Sequence, residues 1–494
     1  MTGKSSALDG VMPFLRQHKW RALTLSVLIT IPCFWHRHIE AGDLASHTYN
    51  AWLAQLIAKG LAPGIYIVHQ WNNVLFDLSL LHVANLFGLA AAEKIVVAGC
   101  VLIFFWGVFA LAGAATQRVP WHLTPCIAML AYGYTFNMGF LNYYLSIGLA
   151  CFGLALAWQG KGWDWFFVAA SLPLVLLGHP LGFLWLAGTI VYITAWKRMG
   201  PRWRLLPPVA AAAGLYAVRW YLTNHAQYQA DWAQEPFYKF SGADQLVLYG
   251  ERYVVLSWVA LLWGILCIGV EIFLRRGGKA YWKSIRLAGE LYLVAFCATA
   301  LLPENFHVSL FPGWIGLLVS RLTTISAVFG LCVLGSLKPR GWQVTGFAAC
   351  AVFFFVFLYQ DARTLNRMES QAEELLSGLP WGTKVIATIS EPQGSRMEFI
   401  AHNVDRACIG RCFSYANYEP SSGQFRIRVR QGSPVVTASA EDSEDMQGGA
   451  YEVQEEDLPL KLVYQCDPRD PTKLCLRDLA EGEKTGQFGV GQTH

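Results

Sequence analysis

The chain is short of charged residues. Only 15% of its 494 residues are Asp, Glu, Lys or Arg, whereas 54% are hydrophobic, and an ordinary soluble domain carries about 25% charged residues. A chain of this composition has too little charge to cover the surface of a soluble protein of its size. Its mean hydropathy of +0.34 and its 20 Trp, 20 Tyr and 29 Phe favour an integral membrane protein with two interfaces to line.

Signatures for binding nucleotides are also missing. The sequence has no Gly-rich P-loop and no Gly-x-Gly-x-x-Gly fingerprint after a predicted strand, which excludes those two modes of nucleotide binding. The net charge of +4 is spread over many short segments and forms no basic stretch, so no nucleic-acid partner is predicted.

Long apolar segments are abundant. A span needs about 20 mostly apolar residues, and by that measure we predict an α-helical polytopic membrane protein with about eleven transmembrane helices. They lie in residues 20–35, 93–114, 121–137, 140–158, 163–178, 180–196, 205–222, 253–274, 287–303, 313–336 and 342–360. The first of them resembles a signal peptide. No small-residue cleavage site follows it, because His36-Arg37-His38 does, so we predict an uncleaved span.

Basic residues give the predicted orientation. They cluster in alternate short loops, and one such cluster is Lys197, Arg198, Arg202 and Arg204. Because basic loops stay in the cytoplasm, the N-terminus is predicted to be inside and the C-terminus outside. This orientation places two long loops, residues 36–92 and 223–252, on the outer face. We therefore predict a transmembrane domain over residues 1–360 and a periplasmic domain over 361–494, in a multi-pass protein of the cell inner membrane.

The C-terminal residues predict a small α+β domain. A helix is predicted over 361–378, and strands are predicted in the segments VIATI, FRIRV, PVVTA and LKLVY. The four cysteines of this part of the chain are Cys408, Cys412, Cys466 and Cys475. An even set outside the cytoplasm favours disulfides, with Cys408–Cys412 and Cys466–Cys475 as the preferred choice among three pairings. A zinc site is the alternative, although the spacings are not those of a standard zinc ribbon.

A polar motif, GDLASHTYNAW in residues 42–52, follows the first predicted span. Asp43 is predicted to be the N-cap of a helix, and Asp43, His47 and Asn50 then fall on one helix face at the outer membrane surface. One interpretation is a capped interfacial helix in which Asp43 has no further role. The other is a general base that takes a proton from an acceptor hydroxyl, with His47 tuning it or contacting a phosphate.

Arg321 lies in the outer half of the predicted span 313–336. A charge inside a span is costly unless it has a partner or lines a cavity, and a guanidinium can hold a lipid-linked phosphate bidentately. The alternative is an ion pair with Glu290 or Glu304, or contact with lipid headgroups. Lys94, at the mouth of the second span, is either an interfacial anchor or a second phosphate contact.

Four further side chains are candidates for lining a sugar or acceptor site. Trp71 and Asn72 belong to the first outer loop. They either line an acceptor groove, where the Trp ring would stack on a sugar, or pack the loop onto the membrane. Asn50 shares the helix face of Asp43. His179 precedes Pro180 and either hydrogen-bonds a backbone carbonyl at its turn or touches substrate.

With its acidic residue in a long loop directly after the first span, the chain resembles the GT-C superfamily of integral membrane glycosyltransferases. The turns FNMGFLNYYLSIG (136–148) and LLGHPLGFLW (176–185), and the span that contains Arg321, are similar to the family as well. The resemblance implies a polyprenyl-phosphate sugar donor and inverting transfer on the outer face, with Asp43 as the base. Many members have a second acidic residue beside the first, but here Gly42 and Leu44 flank Asp43, so the resemblance leaves a divalent cation open as a cofactor.

The expected partners are the lipid bilayer, a polyprenyl-phosphate-linked sugar and an acceptor that is a glycan, a lipid or a protein. Two other functions stay open. A transporter or flippase for a lipid-linked glycan would have broken helices at matching places in two repeated halves, and the sequence has no such repeat. A non-catalytic scaffold would use its outer domain to bind a partner, and the single acidic residue is compatible with that function.

Overall fold

The computed structural model of the chain describes residues 11–200, 202–224, 228–232, 237–274, 279–308, 314–390, 395–397 and 400–486. The predicted outer loop 223–252 is therefore described only in part, because 225–227 and 233–236 lie outside these ranges. Residues 275–278, which follow the predicted span 253–274, also lie outside these ranges.

Most of the described residues are helical. The α-helices are α1 (Val11–Thr30), α2 (Leu44–Ala58), α3 (Leu75–Phe87), α4 (Leu89–Thr116), α5 (Thr124–Ala131), α6 (Tyr134–Asn137), α7 (Leu141–Gln159), α8 (Asp164–Gly178), α9 (Pro180–Arg198), α10 (Leu206–Asn224), α11 (Phe237–Phe240), α12 (Glu251–Leu274), α13 (Lys279–Leu301), α14 (Leu318–Leu334), α15 (Gly341–Leu376), α16 (Ile400–Ala407), α17 (Tyr418–Ser422) and α18 (Ala440–Gly448). Short 3₁₀ turns lie at Ile31–Cys33, Trp121–Leu123, Ala243–Leu246 and Glu455–Asp457.

The strands within the described ranges are short and form three sheets. They are β1 (Ile65–Ile67), β2 (Tyr228–Asp231), β3 (Asn305–Val308), β4 (Trp314–Ile315), β5 (Thr383–Thr388), β6 (Cys412–Ser414), β7 (Ile427–Val429), β8 (Leu460–Gln465) and β9 (Leu474–Leu479). The sheet orders are β1-β7, β2-β3-β4 and β6-β5-β8-β9.

Four helices among the described residues are long and apolar enough to cross a membrane: α4, α7, α12 and α15. All eleven predicted segments contain helix, but one of them, 121–137, is divided into a 3₁₀ turn and two short helices by the turn at Tyr132 and Gly133. The helical class is thus confirmed, together with several helices able to span a bilayer. The number eleven stays a prediction.

The chain forms two compact units. The first consists of residues 1–31, 98–136 and 141–356, and the second of 32–97, 137–140 and 357–494. The first unit is helical apart from the β2-β3-β4 sheet, and α7 packs against α8 and α9 while α13 packs against α14. The second unit joins the whole of the predicted first outer loop, residues 36–92, to the C-terminal residues, a pairing that the sequence did not predict.

The second unit contains the four-stranded sheet. β5 runs parallel to both β6 and β8, and β9 closes the sheet antiparallel to β8. Three adjacent residues of β5, Val385, Ile386 and Ala387, are all buried, as expected for a central parallel strand covered on both faces. Ile386 packs with Leu462, Met446 and other apolar side chains in a small core.

Two of the secondary-structure predictions for residues 361–494 need correction. The predicted helix 361–378 is the end of α15, which continues without a break from residue 341 to Leu376. The predicted strand PVVTA is wrong, because these residues adopt bends and the Thr437 amide donates to the Tyr415 carbonyl outside any ladder.

Both preferred cysteine pairs are at disulfide distance. The Cα atoms of Cys408 and Cys412 lie 4.7 Å apart and those of Cys466 and Cys475 lie 5.7 Å apart, with the sulfur atoms bonded in each pair. The other eight cysteines are free thiols, and all of them except the half-buried Cys297 are buried.

Alkylation should count these cysteines directly. We expect a maleimide to modify eight of the twelve cysteines in the denatured, unreduced protein and all twelve after reduction, as read by intact mass. Cys466→Ser should add one reactive thiol, at Cys475. Twelve modified thiols before reduction would contradict both disulfides.

Candidate active site

Two glycines fix the backbone at Asp43. Gly42 has φ +33°, and a Cβ there would lie 2.3 Å from the carbonyl oxygen of Met138; Gly139 has φ +75°, and its Cβ would lie 2.3 Å from the Asp43 nitrogen. Only glycine allows the two backbone segments to lie so close together. At this separation the Asp43 amide donates to the Met138 carbonyl at 3.2 Å. The turn at residues 137–140 is therefore a support for the segment that carries Asp43.

Asp43 occupies the N-cap position of α2 but does not cap the helix. Its side chain makes no capping hydrogen bond, and its backbone has φ −60° and ψ −8°. A capping carboxylate normally needs extended backbone at this position to reach back to the helix amides. The predicted cap is therefore wrong, and the carboxylate, with 24% of its side chain exposed, is directed elsewhere.

His47 is buried one turn further along α2. Its Nδ1 lies 2.7 Å from Asp77 Oδ1 and 3.6 Å from Glu419 Oε1. Burial would lower the pKa of His47, but the neighbouring Asp77 carboxylate outweighs burial and, with Glu419 and Asp43, raises it to about 10. His47 is therefore a cation at neutral pH.

Asn50 continues the same helix face and is also buried. Its Nδ2 donates to Ser46 Oγ at 3.1 Å, and its carbonyl oxygen accepts from Asn417 Nδ2 at 2.9 Å. The sequence predicted Asp43, His47 and Asn50 on one polar face, and they are on one face. Residues of the C-terminal segment contact this face, and its predicted position at the outer membrane surface stays a prediction.

Glu419, at the start of α17, is the acid that faces His47. Ser46 Oγ donates to its Oε1 at 3.4 Å. Burial raises the pKa of Glu419 to about 7, against the opposing effect of the His47 charge, while Asp77 and Asp43 add to the rise. A carboxyl group that gains and loses its proton near neutral pH, beside a partly exposed carboxylate, is typical of sites that move protons.

His402, on α16, faces Asp43 from the other side. Its Nε2 lies 3.8 Å from Asp43 Oδ1, and its Nδ1 lies 3.3 Å from Asp405 Oδ2. The other oxygen of Asp405 accepts a hydrogen bond from Ser414 Oγ. Asp43 is the most exposed of the charged side chains in this group, so an incoming hydroxyl would meet its carboxylate first.

A second buried charge cluster surrounds Arg406. Its Nε and Nη2 each donate to one oxygen of Glu369 at 2.6 Å, and its Nη1 donates to Glu93 Oε2 at 2.9 Å. Glu40 lies 4.0 Å away. Burial and the Glu369 charge raise the pKa of Glu40 well above its usual range, so Glu40 keeps a proton more readily than an ordinary glutamate.

The remaining predicted site residues of the second unit make other contacts. Lys94 Nζ donates to the His36 carbonyl at 2.9 Å and lies over the Phe34 ring, which favours the interpretation as an anchor. Trp71 is 79% exposed and Asn72 is half-buried. Their proposed contacts with an acceptor stay predictions.

Arg321 and His179 belong to the first unit. Arg321 Nη1 donates to the Gly316 carbonyl at 2.6 Å, and its own carbonyl accepts from the Tyr143 hydroxyl at 2.7 Å. Glu290 instead accepts from Arg286 Nε, and Glu304 from Ser320. His179 Nδ1 accepts from the Leu181 amide at 3.1 Å as the N-cap of α9. It therefore bonds its own turn, as an acceptor from an amide instead of a donor to a carbonyl.

The sequence alone did not reveal four residues of the site: Asp77, His402, Asp405 and Glu419. Asp77 has a local signal, since it is the acidic residue in the first turn of α3, where a carboxylate is favoured. The other three lie more than 350 positions after Asp43 in the sequence, and no local motif marks them.

Comparisons with known proteins add no relative: no family model, no curated protein and no solved structure matches the chain. Among the described residues, no group of three His, Cys, Asp or Glu side chains could hold a metal ion. A divalent cation stays a prediction. The chemistry of the site is therefore inferred from the side chains around Asp43.

Removing the cation of the second cluster should destabilise the second unit. Arg406→Met leaves buried carboxylates without their charge partner, at a cost of about 3–5 kcal/mol. These carboxyls then keep protons more tightly when folded than when unfolded, so their destabilising effect grows as pH rises above the unfolded carboxyl pKa. We expect a thermal unfolding midpoint well below that of the wild type at pH 8 and closer to it at pH 5.5.

Arg411→Met is the matched control. Arg411 is half-buried and donates to the Glu373 carbonyl, so its removal should cost about 1 kcal/mol with no pH trend. If Arg406→Met has the same thermal unfolding midpoint as the wild type at both pH 8 and pH 5.5, the electrostatic role of the cluster is refuted.

Proposed function

We propose that the chain is a membrane glycosyltransferase that moves a sugar from a polyprenyl-phosphate donor to an acceptor hydroxyl on the outer face of the membrane. The observation that carries the proposal is the side chain of Asp43, which sits on a fixed backbone, does not cap its helix and keeps 24% of its surface exposed. The protein would lie in the inner membrane with about eleven spans, its N-terminus inside and its C-terminal residues outside.

The proposed reaction is a single displacement. The acceptor oxygen attacks the anomeric carbon while its proton passes to the Asp43 carboxylate. The bond between the anomeric carbon and the phosphate oxygen breaks, and polyprenyl phosphate leaves with the bonding electron pair. One displacement inverts the anomeric configuration, and a positioned base contributes roughly 10²–10⁴-fold to such a step.

Arg321 is the proposed ligand of the donor phosphate. It lies in the first turn of α14, where the Tyr143 hydroxyl and the Gly316 carbonyl hold its backbone and its guanidinium. A guanidinium presents its N–H donors in a planar fork that matches two phosphate oxygens.

An apolar cavity of the first unit supports a lipid-linked donor. It has a volume of about 470 Å³ and lies among α5, α12, α13 and α14. Met129, Leu261, Phe296 and Leu331 are among its lining side chains. A cavity with this apolar lining could hold part of a polyprenyl chain at low desolvation cost. The chain would exchange contacts with lipid tails for contacts with equally apolar side chains.

Asp43→Asn tests the base. Membrane vesicles that contain the chain would be given radiolabelled polyprenyl-phosphate hexoses and pentoses, and the label that leaves polyprenyl phosphate would be counted, whether the acceptor is a glycan, a lipid or a protein. We expect the variant to transfer sugar at least about 100-fold more slowly than the wild type, because an amide cannot accept the proton.

Asp478→Asn, an exposed carboxylate of the same unit, should transfer sugar as the wild type does at equal protein abundance. Unchanged transfer by Asp43→Asn would remove Asp43 as the base. No transfer by the wild type from any donor of the panel would reject the glycosyltransferase itself, and label that crosses the vesicle membrane unchanged would favour a transporter.

Arg321→Gln tests the phosphate contact. We expect KM for the donor to rise about tenfold or more, because a hydrogen bond to a charged group is worth roughly 1.5–3 kcal/mol, with KM for the acceptor unchanged. The control is Arg219→Gln, since Arg219 is a second arginine of the first unit, stacked on Trp232. Equal donor KM values for the two variants would count against the assignment.

A further inference from the structure

His402 is placed to act on Asp43 although the two residues are far apart in the sequence. The ring has a carboxylate on each nitrogen: Asp405 Oδ2 is 3.3 Å from Nδ1, and Asp43 Oδ1 is 3.8 Å from Nε2.

We propose that His402 is a positioning residue, which holds the Oδ1 side of the Asp43 carboxylate and leaves Oδ2 for the acceptor hydroxyl. This role rests on the proposed function. It also assigns residues 400–419 of the C-terminal segment to the active site instead of to a separate binding domain.

The orientation of the His402 ring is fixed by its neighbours. Asp405 is itself held by the Ser414 hydroxyl, so its second oxygen is directed at Nδ1. The Tyr418 ring lies 5.0 Å from the imidazole, centroid to centroid, and His402 is 9% exposed. A ring packed in this way has little freedom to turn, and its Nε2 keeps facing Asp43. An orienting carboxylate behind a histidine is a recurrent device for fixing a catalytic group.

The surroundings favour the protonated ring. Four titratable groups face His402: Asp43 before α2, Asp405 on its own helix, and Tyr418 and Glu419 on α17. Burial would lower the pKa of His402, but the hydrogen bond and charge of Asp405, followed by the charges of Asp43 and Glu419, raise it above its usual value. A protonated ring can donate from Nδ1 to Asp405, and its positive charge attracts the Asp43 carboxylate, which lies 3.8 Å from Nε2.

The proton balance of the reaction does not require His402 to change state. The acceptor proton goes to Asp43 and leaves to water through the exposed part of that side chain. His402 exchanges no proton with the acceptor in this step, because its two ring nitrogens face Asp405 and Asp43.

Kinetics of His402→Gln tests this role. We expect kcat to fall about tenfold with donor KM within twofold of the wild type, because a carboxylate that is no longer held spends less time in the reactive orientation. His82→Gln, an exposed histidine on α3, should keep the wild-type kcat. An unchanged kcat in His402→Gln, or a change in KM alone, overturns the proposal while the proposed function stands if Asp43→Asn is inactive.

A second measurement does not depend on turnover. Histidine-selective NMR of the full-length protein, with the signal assigned by its loss in His402→Gln, follows the protonation of His402. We expect its pKa to fall in Asp43→Asn, because one of the two flanking carboxylates is gone. A pKa unchanged by Asp43→Asn shows that the two side chains do not interact and overturns the proposal. If the His402 pKa falls in Asp43→Asn but the wild-type protein transfers no sugar, the contact between the two side chains is real. Its role in catalysis is then rejected together with the proposed function.

Discussion

The second unit depends on the buried guanidinium of Arg406. This one side chain connects four segments that are distant in the sequence: it reaches Glu369 on α15, Glu93 on α4, Glu40 and the Ile39 carbonyl before α2, and it starts from α16. Removing these charges from water costs several kcal/mol per ion. That cost is offset only when every donor has a partner, and the segments must therefore meet in one arrangement.

The placement of Asp43 follows from that constraint. Arg406 donates to the Ile39 carbonyl and so fixes the position of that residue. Asn366, on α15, donates to the Glu40 side chain and to the His38 carbonyl. Gly42 then brings the chain against Met138. The segment before α2 is thus bound on both sides, and the candidate base has a rigid backbone although its carboxylate reaches solvent. A catalytic group needs this combination, since a displacement of about 1 Å can cost 10²-fold in rate.

The sequence predicted the features that depend only on residues close together in the chain. Apolar runs located the helices, close spacing selected Cys408–Cys412 and Cys466–Cys475, and a polar motif selected Asp43. It failed where partners come from distant segments: His402 and Glu419 carry no pattern of their own, and only the folded second unit brings them to α2. The Asp43 cap failed for a different reason. The N-cap preference assumes extended backbone, but the contact with Met138 imposes a helical φ and ψ on this residue.

The two charge clusters differ in a way that bears on function. Glu369 has both carboxylate oxygens bound by the fork of Arg406, so no oxygen is left to take a proton from a substrate, and its role is structural. Asp43 faces a histidine through Oδ1, and one imidazole N–H can occupy only one oxygen. An arginine in the place of His402 would bind both oxygens and would make the carboxylate a poor base. His402 therefore orients the Asp43 carboxylate and leaves one oxygen accessible, whereas Arg406 binds both oxygens of Glu369. This difference supports the proposal that Asp43 is the residue that reacts.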